Sequence, residues 1–326
     1  MTSFFSLLIS IVVSSTIFLC PSLSYEFSST VTVDKSGKGQ FKTIQEAINS
    51  VPTGNTKWVH IVVNPGVYNE KVTISSTREF IFLEGKGYSQ TTISWDDHQA
   101  TNDSATFSSL ANNFVAKDIS FMNSYNIKTK NTMTPALAIY IFGDKSAFYN
   151  CGFYGLQDTL YDGNGRHYFN SCYIEGAVDF IWGYGQSVYE GCKINSTAGQ
   201  LSSPGFITAQ GRESLQDKSG FVFIKGTIDG TGQVYLGRAY RAFSRVIFIE
   251  VTMSSVVLPL GWDAWMGAGK EGSLTNIEVS CKGPGANTSK RATWTKIVKS
   301  DSADLQQFTT QKFIDQDGWL AKTRFL

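Results

Sequence analysis

Phe148-Tyr-Asn-Cys-Gly-Phe153, Phe169-Asn-Ser-Cys-Tyr-Ile174 and Tyr189-Glu-Gly-Cys-Lys-Ile194 are three versions of one short phrase. The first two cysteines lie 21 residues apart (172 − 151 = 21) and the third follows 20 later (192 − 172 = 20). A period of this length, carried by aromatic and β-prone residues, points to the coils of a parallel β-solenoid. There, residues one coil apart sit on adjacent strands, roughly 4.8 Å from each other. Asp158 and Asp179 share the spacing (179 − 158 = 21), so the repeat sets two carboxylates side by side on one face. Such a pair does not ionise together easily: one is held as the neutral acid while the other stays an anion. A carboxylic acid beside a carboxylate is hydrolytic machinery.

Outward from this ladder, the chain of 326 residues shows many short β-branched and aromatic runs, such as Trp58-Val-His-Ile-Val-Val63, Phe80-Ile-Phe-Leu83, Phe221-Val-Phe-Ile224 and Val246-Ile-Phe-Ile249. Helical periodicity is scarce. One helix is expected over Thr43 to Val51, where Ile44, Ala47, Ile48 and Val51 share a face and Pro52 ends it. It would cap the open N-terminal end of the solenoid. Some gaps between repeats exceed 21 residues, which implies loops inserted into single coils; Asn123 to Thr134 and Ser196 to Asp217 are the main candidates. No linker divides the chain, and the segment ending in Phe313-Ile-Asp-Gln-Asp-Gly-Trp-Leu320 reads as a packed tail. The expectation is an all-β, single-domain right-handed parallel β-helix over residues 25–326 with a short N-terminal capping helix.

The formal net charge is +1, from 28 basic and 27 acidic residues, with no block of like charge. That gives no footprint for nucleic acid. Residues 1–24 carry no charge and read as a secretory signal peptide with small residues before Tyr25. Its apolar run is at the short limit for spanning a bilayer, so no membrane attachment is expected after cleavage. Cys151, Cys172, Cys192 and Cys281 then remain. In a secreted chain they permit disulfides, Cys151–Cys172 being favoured by stacking, with Cys192 a competitor and the partner of Cys281 open. Sequons at Asn102, Asn195 and Asn287 are candidate glycosylation sites. Three scattered histidines supply no zinc site, and His167 reads as structural.

Gly66-Val-Tyr-Asn-Glu70, Gly155-Leu-Gln-Asp-Thr-Leu160, Asp179-Phe-Ile-Trp-Gly183 and Tyr235-Leu-Gly-Arg238 together resemble the plant-type pectinesterases (pectin methylesterases). Gly165-Arg-His-Tyr-Phe169, Gly261-Trp262 with Trp265, and Gly283 to Arg291 leading to Trp294 add to the match, which runs from about Val31 to Leu320. The resemblance implies a secreted, monomeric cell-wall enzyme that removes methyl esters from pectin (methyl-esterified homogalacturonan) without a metal or other cofactor. A proteinaceous pectinesterase inhibitor is an implied partner. The inhibitor-like pro-region that some members carry is not expected here.

Residue by residue, Asp179 matches the family nucleophile, which attacks the ester carbonyl and forms an acyl-enzyme. Asp158 matches the proton donor and acceptor. Arg238 would keep Asp179 ionised and aimed, and Gln157 would donate its amide to the developing oxyanion. Phe107, Tyr161, Trp182, Tyr240, Trp262 and Trp265 match positions where sugar rings stack, and Arg238 is a substrate contact as well. Gly66 to Glu70 is expected to be architectural. One departure stands out. The family's Gln-Ala-Val-Ala-Leu, whose Gln supplies a second oxyanion donor, reads Pro135-Ala-Leu-Ala-Ile139 here, and proline donates nothing. Loss of such a donor typically costs about 100- to 1000-fold in rate. The alternative to an esterase is therefore a weakly active or non-catalytic pectin-binding β-helix. A pectate lyase would want a calcium cluster and a polygalacturonase further carboxylates; neither pattern is visible.

Overall fold

The repeated phrase folds into a column of stacked rings. Phe148, Phe169, Tyr189, Phe223 and Phe248 occupy matching positions on successive parallel strands. Their ring centroids are 4.9, 4.5, 4.6 and 4.6 Å apart, one per strand spacing, with planes within 14° of parallel. In this computed structural model the described residues are 27–323 and 326, except 99, 130–132 and 301; the expected signal peptide over 1–24 lies outside them. Among them the strands form three parallel sheets of eleven, eight and eight strands, with the complete coils contributing one strand to each sheet. The expected parallel β-helix is the fold.

Seven successive coils turn a tight corner on one residue in left-handed backbone. Asp118, Asn150, Ser171, Gly191, Lys225, Glu250 and Ser280 all have φ between 50° and 65°. The residue after the corner points inward, and that is where Cys151, Cys172 and Cys192 lie buried. The expected Cys151–Cys172 disulfide is not formed; all four described cysteines are free thiols. Cys172, Cys192 and Cys281 each donate 3.5 Å to the carbonyl of the stacked ring one coil back, at Phe148, Phe169 and Phe248. Burial pushes the Cys172 and Cys192 thiols well up. The cysteine period thus marks small apolar side chains filling a corner.

The capping helix spans Ile44–Ser50, with Ile44, Ala47 and Ile48 buried against the N-terminal end of the core. Thr43 and Glu46 close a capping box. Glu70, at the end of the Gly66–Glu70 motif, accepts from the amides of Ile44 and Gln45 at 2.9 and 3.0 Å, which gives the motif its architectural role. At the other end, Leu305, Phe308, Phe313, Trp319 and Leu320 pack on the outer face of the eleven-stranded sheet, against Val115, Tyr168, Val188 and Ile247. Arg166 fastens this tail by bridging Asp144 and Asp317, both at 2.8 Å. The segment Ser196 to Asp217 is not one inserted loop. It contains the strand Gly205–Gln210, which lies within one of the eight-stranded sheets.

Replacing Glu70 with alanine removes two charged hydrogen bonds from the start of the helix. The expected cost is about 1–3 kcal/mol of unfolding free energy, read by thermal or denaturant unfolding. An unchanged midpoint would show that Thr43 and Glu46 suffice.

Candidate active site

One eight-stranded sheet carries, in spatial order, Val72–Ile74, Phe107–Ser109, Ile139–Ile141, Leu160–Asp162, Val178–Gly183, Gly205–Gln210, Val234–Ala239 and Trp262–Asp263. Strand alternation divides its residues. Phe107, Ile139, Leu160 and Ile181 are aligned and point into the core; Ser108, Tyr140, Tyr161, Trp182, Ala209, Arg238 and Asp263 are aligned on the outer face.

The two aspartates sit beside this outer row. Gln157 pairs with Val178 across adjacent coils, and the Asp158 amide donates to the Val178 carbonyl at 3.0 Å. The 21-residue register thus holds, and Asp158 and Asp179 are neighbours. Both have left-handed backbone, φ 60° and 49°, a conformation that costs a non-glycine residue about 1–3 kcal/mol at such sites. At Asp179 the cause is a bulge: pairing with the next strand jumps from Val178–Phe206 to Ile181–Thr208, so Asp179 and Phe180 oppose Ile207 alone. The extra residue tips the carboxylate outward.

Arg238 reaches Asp179 from two strands away. Its Nε donates to Asp179 Oδ1 at 2.7 Å and its Nη2 donates to Oδ2, a two-pronged pairing that also fixes the carboxylate plane. The guanidinium is sandwiched between the rings of Phe206, at 4.3 Å, and Trp265, at 3.9 Å. Asp158 and Asp179 are only 8% and 7% exposed. Burial first, and the charge of Asp179 second, push Asp158 up to about 8 against the pull of Arg238. Burial also raises Asp179, but Arg238 opposes it through its hydrogen bonds and charge. Of the two carboxyls, Asp179 has the bound cation and holds the negative charge; Asp158 holds the proton at neutral pH.

Gln157 is half-buried at the same edge, and its side-chain amide has no hydrogen bond to any described residue. Pro135 lies one coil back, where the Ala136 amide donates to the Gln157 carbonyl at 3.3 Å. The preceding Thr134 is pinned by Asn126, which both donates to its carbonyl and accepts from its amide.

Of the aromatic residues expected to stack sugar rings, Tyr161, Trp182, Tyr240 and Trp265 form a chain of ring contacts along the outer face. Phe107 and Trp262 do not. Phe107 points inward and packs on Phe114 and Phe121. Trp262 is buried beside Phe248 and donates its indole N–H to Glu278 at 3.1 Å. Alternation explains both: Trp262 aligns with Gly237, leaving Asp263 to align with outward Arg238. Sequence reasoning missed Phe206, Tyr140, Phe142, Tyr184 and Arg241, all of which border the face. The alignment one coil back from Tyr161 would have found Tyr140, whereas Phe206 lies three residues from Ala209, the neighbour of Arg238, and so breaks the alternation.

His167 is fully buried with both ring nitrogens engaged, by Asp162 and by the Gly143 carbonyl, as a structural residue would be. Among the described residues no cluster of His, Cys, Asp or Glu is placed to hold a metal ion. Asn287 is exposed and Asn195 half-buried on its strand; the Asn102 side chain lies outside the described residues.

The chain matches the pectinesterase family model over residues 30–317, and it belongs to that family. It is 50% identical over 297 residues to probable pectinesterase 55 of Arabidopsis thaliana, with 89% of each sequence covered. Probable pectinesterase 29 of the same plant is 48% identical over 301 residues, covering 90% of this chain and 89% of that protein. Among solved structures, the pectin methylesterase from carrot superposes with a TM-score of 0.83 at 32% identity, covering 91% of this chain and 96% of that one. One from Aspergillus niger gives 0.78 at 27% identity, covering 92% and 98%.

The raised Asp158 has a consequence for stability. Its folded value lies above the ordinary carboxyl range, so between about pH 4 and 8 the unfolded chain loses this proton while the folded one keeps it. Stability from this group is lost as pH rises through that window, at most about 1.4 kcal/mol per pH unit. Asp158→Asn should remove the loss, so the melting midpoint of the variant relative to wild type should climb between pH 4 and 8. A difference independent of pH would refute the assignment.

Proposed function

We propose that this chain is a pectin methylesterase that converts methyl-esterified homogalacturonan to pectate and methanol, with Asp179 as nucleophile. The observation that carries the reading is the buried carboxyl pair in which Arg238 grips one member while the other is raised to about 8. One carboxylate can attack while its neighbour still has a proton to give.

In this reading Asp179 adds to the ester carbonyl carbon, and the Gln157 amide donates to the oxygen as it gains charge. Collapse breaks the bond to the methoxy oxygen, which takes the proton of Asp158 and leaves as methanol. The resulting anhydride joins Asp179 to the galacturonosyl carboxyl. Asp158, now a carboxylate, takes a proton from water, whose oxygen attacks the galacturonosyl carbonyl. Asp179 departs as the carboxylate that Arg238 already holds, and Asp158 is again protonated. Arg238 thus favours the anion at the beginning and end of the cycle. Tyr161, Trp182, Tyr240 and Trp265 supply the faces on which sugar rings stack.

Asp179→Asn keeps shape and loses nucleophilicity, so methanol release from highly methylated pectin should fall by at least about 1000-fold. Pectin binding, measured by calorimetry, should survive. Pectin binding by the unmodified protein without methanol release would instead support a binding protein, the reading that Pro135 suggests. Within the esterase reading, Gln157 acts with one side-chain donor fewer. Pro135→Gln should then raise kcat more than it changes KM, by less than the roughly 2.7–4 kcal/mol of a full donor. An unchanged or lower kcat in the folded variant would show that another group fills the role.

Residues 1–24 serve as a signal peptide, the mature chain acts as a monomer in the plant cell wall, and exposed Asn287 is the best placed of the three sequons for a glycan. A proteinaceous pectinesterase inhibitor is the expected protein partner.

A further inference from the structure

Arg238 has a carboxylate on either side of it in the sheet. Asp179 lies two strands back, and Asp263 lies on the next strand forward, aligned with Arg238 itself. The guanidinium gives both prongs to Asp179. Asp263 turns elsewhere: its Oδ1 accepts from the backbone amide of Trp265 at 2.7 Å. No proposed catalytic step uses Asp263.

That hydrogen bond begins a tight turn. Trp265 has left-handed backbone, φ 41°, a conformation unfavourable for so large a residue. The Gly267 amide then donates to the Ala264 carbonyl at 2.6 Å, and the Ala268 amide to the Trp265 carbonyl at 3.2 Å. The turn sits directly on the end of the strand that carries Arg238, since a Cβ at Gly267 would meet Ala239 at 3.3 Å and Leu274 at 3.0 Å. In this position the indole lies 3.9 Å over the Arg238 guanidinium. The ring on the other face, Phe206, belongs to a strand inside the sheet, where register sets its place. Trp265 follows Trp262–Asp263, the edge strand of the sheet, so its place depends on the turn.

We propose that Asp263 is a positioning residue for the catalytic ion pair: its carboxylate oxygen holds the Trp265 turn, Trp265 covers the guanidinium, and the covered guanidinium keeps both prongs on Asp179. The proposal rests on the pectin methylesterase reading and adds to it a residue that acts through Arg238. Asp263 works here as an acceptor. As a bare anion one strand from Arg238 it would compete with Asp179 for the same fork, and the amide commits its oxygen to the turn. Uncovered, the guanidinium regains water on one face, and each N–H given to water is lost to Asp179. The groups that face Asp179 are Asp158 from the preceding coil and Arg238; the strand between, Gly205–Gln210, carries no titratable side chain. A weaker grip by Arg238 therefore raises the Asp179 carboxyl.

The test compares the unmodified protein with Asp263→Ala, which removes the acceptor, and Asp263→Asn, which removes the charge and keeps an acceptor oxygen. Trp265→Leu removes the cover directly and serves should Asp263→Ala fail to fold. On methylated pectin Asp263→Ala should lower kcat about 10-fold. It should also move the acid limb of the kcat/KM profile up by about half a pH unit, that limb reporting the carboxylate of the free protein. Trp265→Leu should move the limb in the same direction, and Asp263→Asn should stay within about 2-fold with its limb in place. A raised KM with an unmoved limb would mark Trp265 as a sugar contact alone and overturn the proposal. Equal effects of alanine and asparagine would assign the role to the charge and overturn it too. A second readout needs no turnover: the Nε–H resonance of Arg238, identified by its loss in Arg238→Lys. Its exchange with water should quicken at least about 10-fold in Asp263→Ala and stay unchanged in Asp263→Asn. No methanol release by the unmodified protein would refute the esterase reading, whereas an unchanged exchange rate in Asp263→Ala would refute the positioning role.

Discussion

Parallel register is the constraint on which the rest of this molecule depends. Phe148, Phe169, Tyr189, Phe223 and Phe248 stack one ring per strand along the core. A slip of one residue in any of these coils would turn its ring to the outside and expose the neighbouring apolar positions. The left-handed corner that follows each of these rings fixes where the chain leaves that sheet. Register and corner together determine which residues of the neighbouring eight-stranded sheet face outward, and so bring Asp158 beside Asp179. The carboxyl pair needs no local contact of its own to be assembled.

What the core imposes, the site opposes at a cost. Two buried carboxyls, two left-handed aspartates and a bulge are each unfavourable for folding. They are tolerated because the ring column and the strands on either side over-determine the backbone. The buried Asp162–His167 contact contributes from beneath: Asp162 follows Tyr161 in the same strand, and its second oxygen accepts from Tyr189 at 2.6 Å. That hydrogen bond links the outer face to a member of the ring column. The front and the core of the coil are mechanically one piece.

Much of this was legible in the sequence because it depended on spacing. The shared interval of 21 residues between Asp158 and Asp179 needed only counting, and the capping helix announced itself through periodicity and Pro52. The cysteines misled because a repeated interval between them has two physical causes, a bridge or a repeated corner, and here the thiols are free, with those of Cys172 and Cys192 donating to backbone carbonyls at the corner. Phe107 and Trp262 were misplaced for a different reason. Family position suggests a sugar contact, but strand parity decides the side of the sheet, and parity can be counted only once a neighbouring residue is known to face outward. The strand Gly205–Gln210 escaped notice inside a Gly- and Ser-rich stretch whose composition reads as loop.

The pairing of Arg238 with Asp179 shows how two rings cooperate to make one ion pair possible. The two residues are separated by a whole strand, about twice 4.8 Å, and the bulge sets Asp179 opposite Ile207 of that strand, while Arg238 aligns with Ala209. Crossing that strand would leave the cation over apolar surface, but Phe206 belongs to the same intervening strand and offers its face from below, while Trp265 covers it from above. A planar, weakly hydrated guanidinium can lie between two rings and still present two parallel N–H groups to one carboxylate; an ammonium cannot do both. The bulge at Asp179 completes the fit, since only a carboxylate tipped out of the regular pleat meets a fork arriving from that direction. Burial strengthens the pairing and, one coil away, keeps the proton on Asp158.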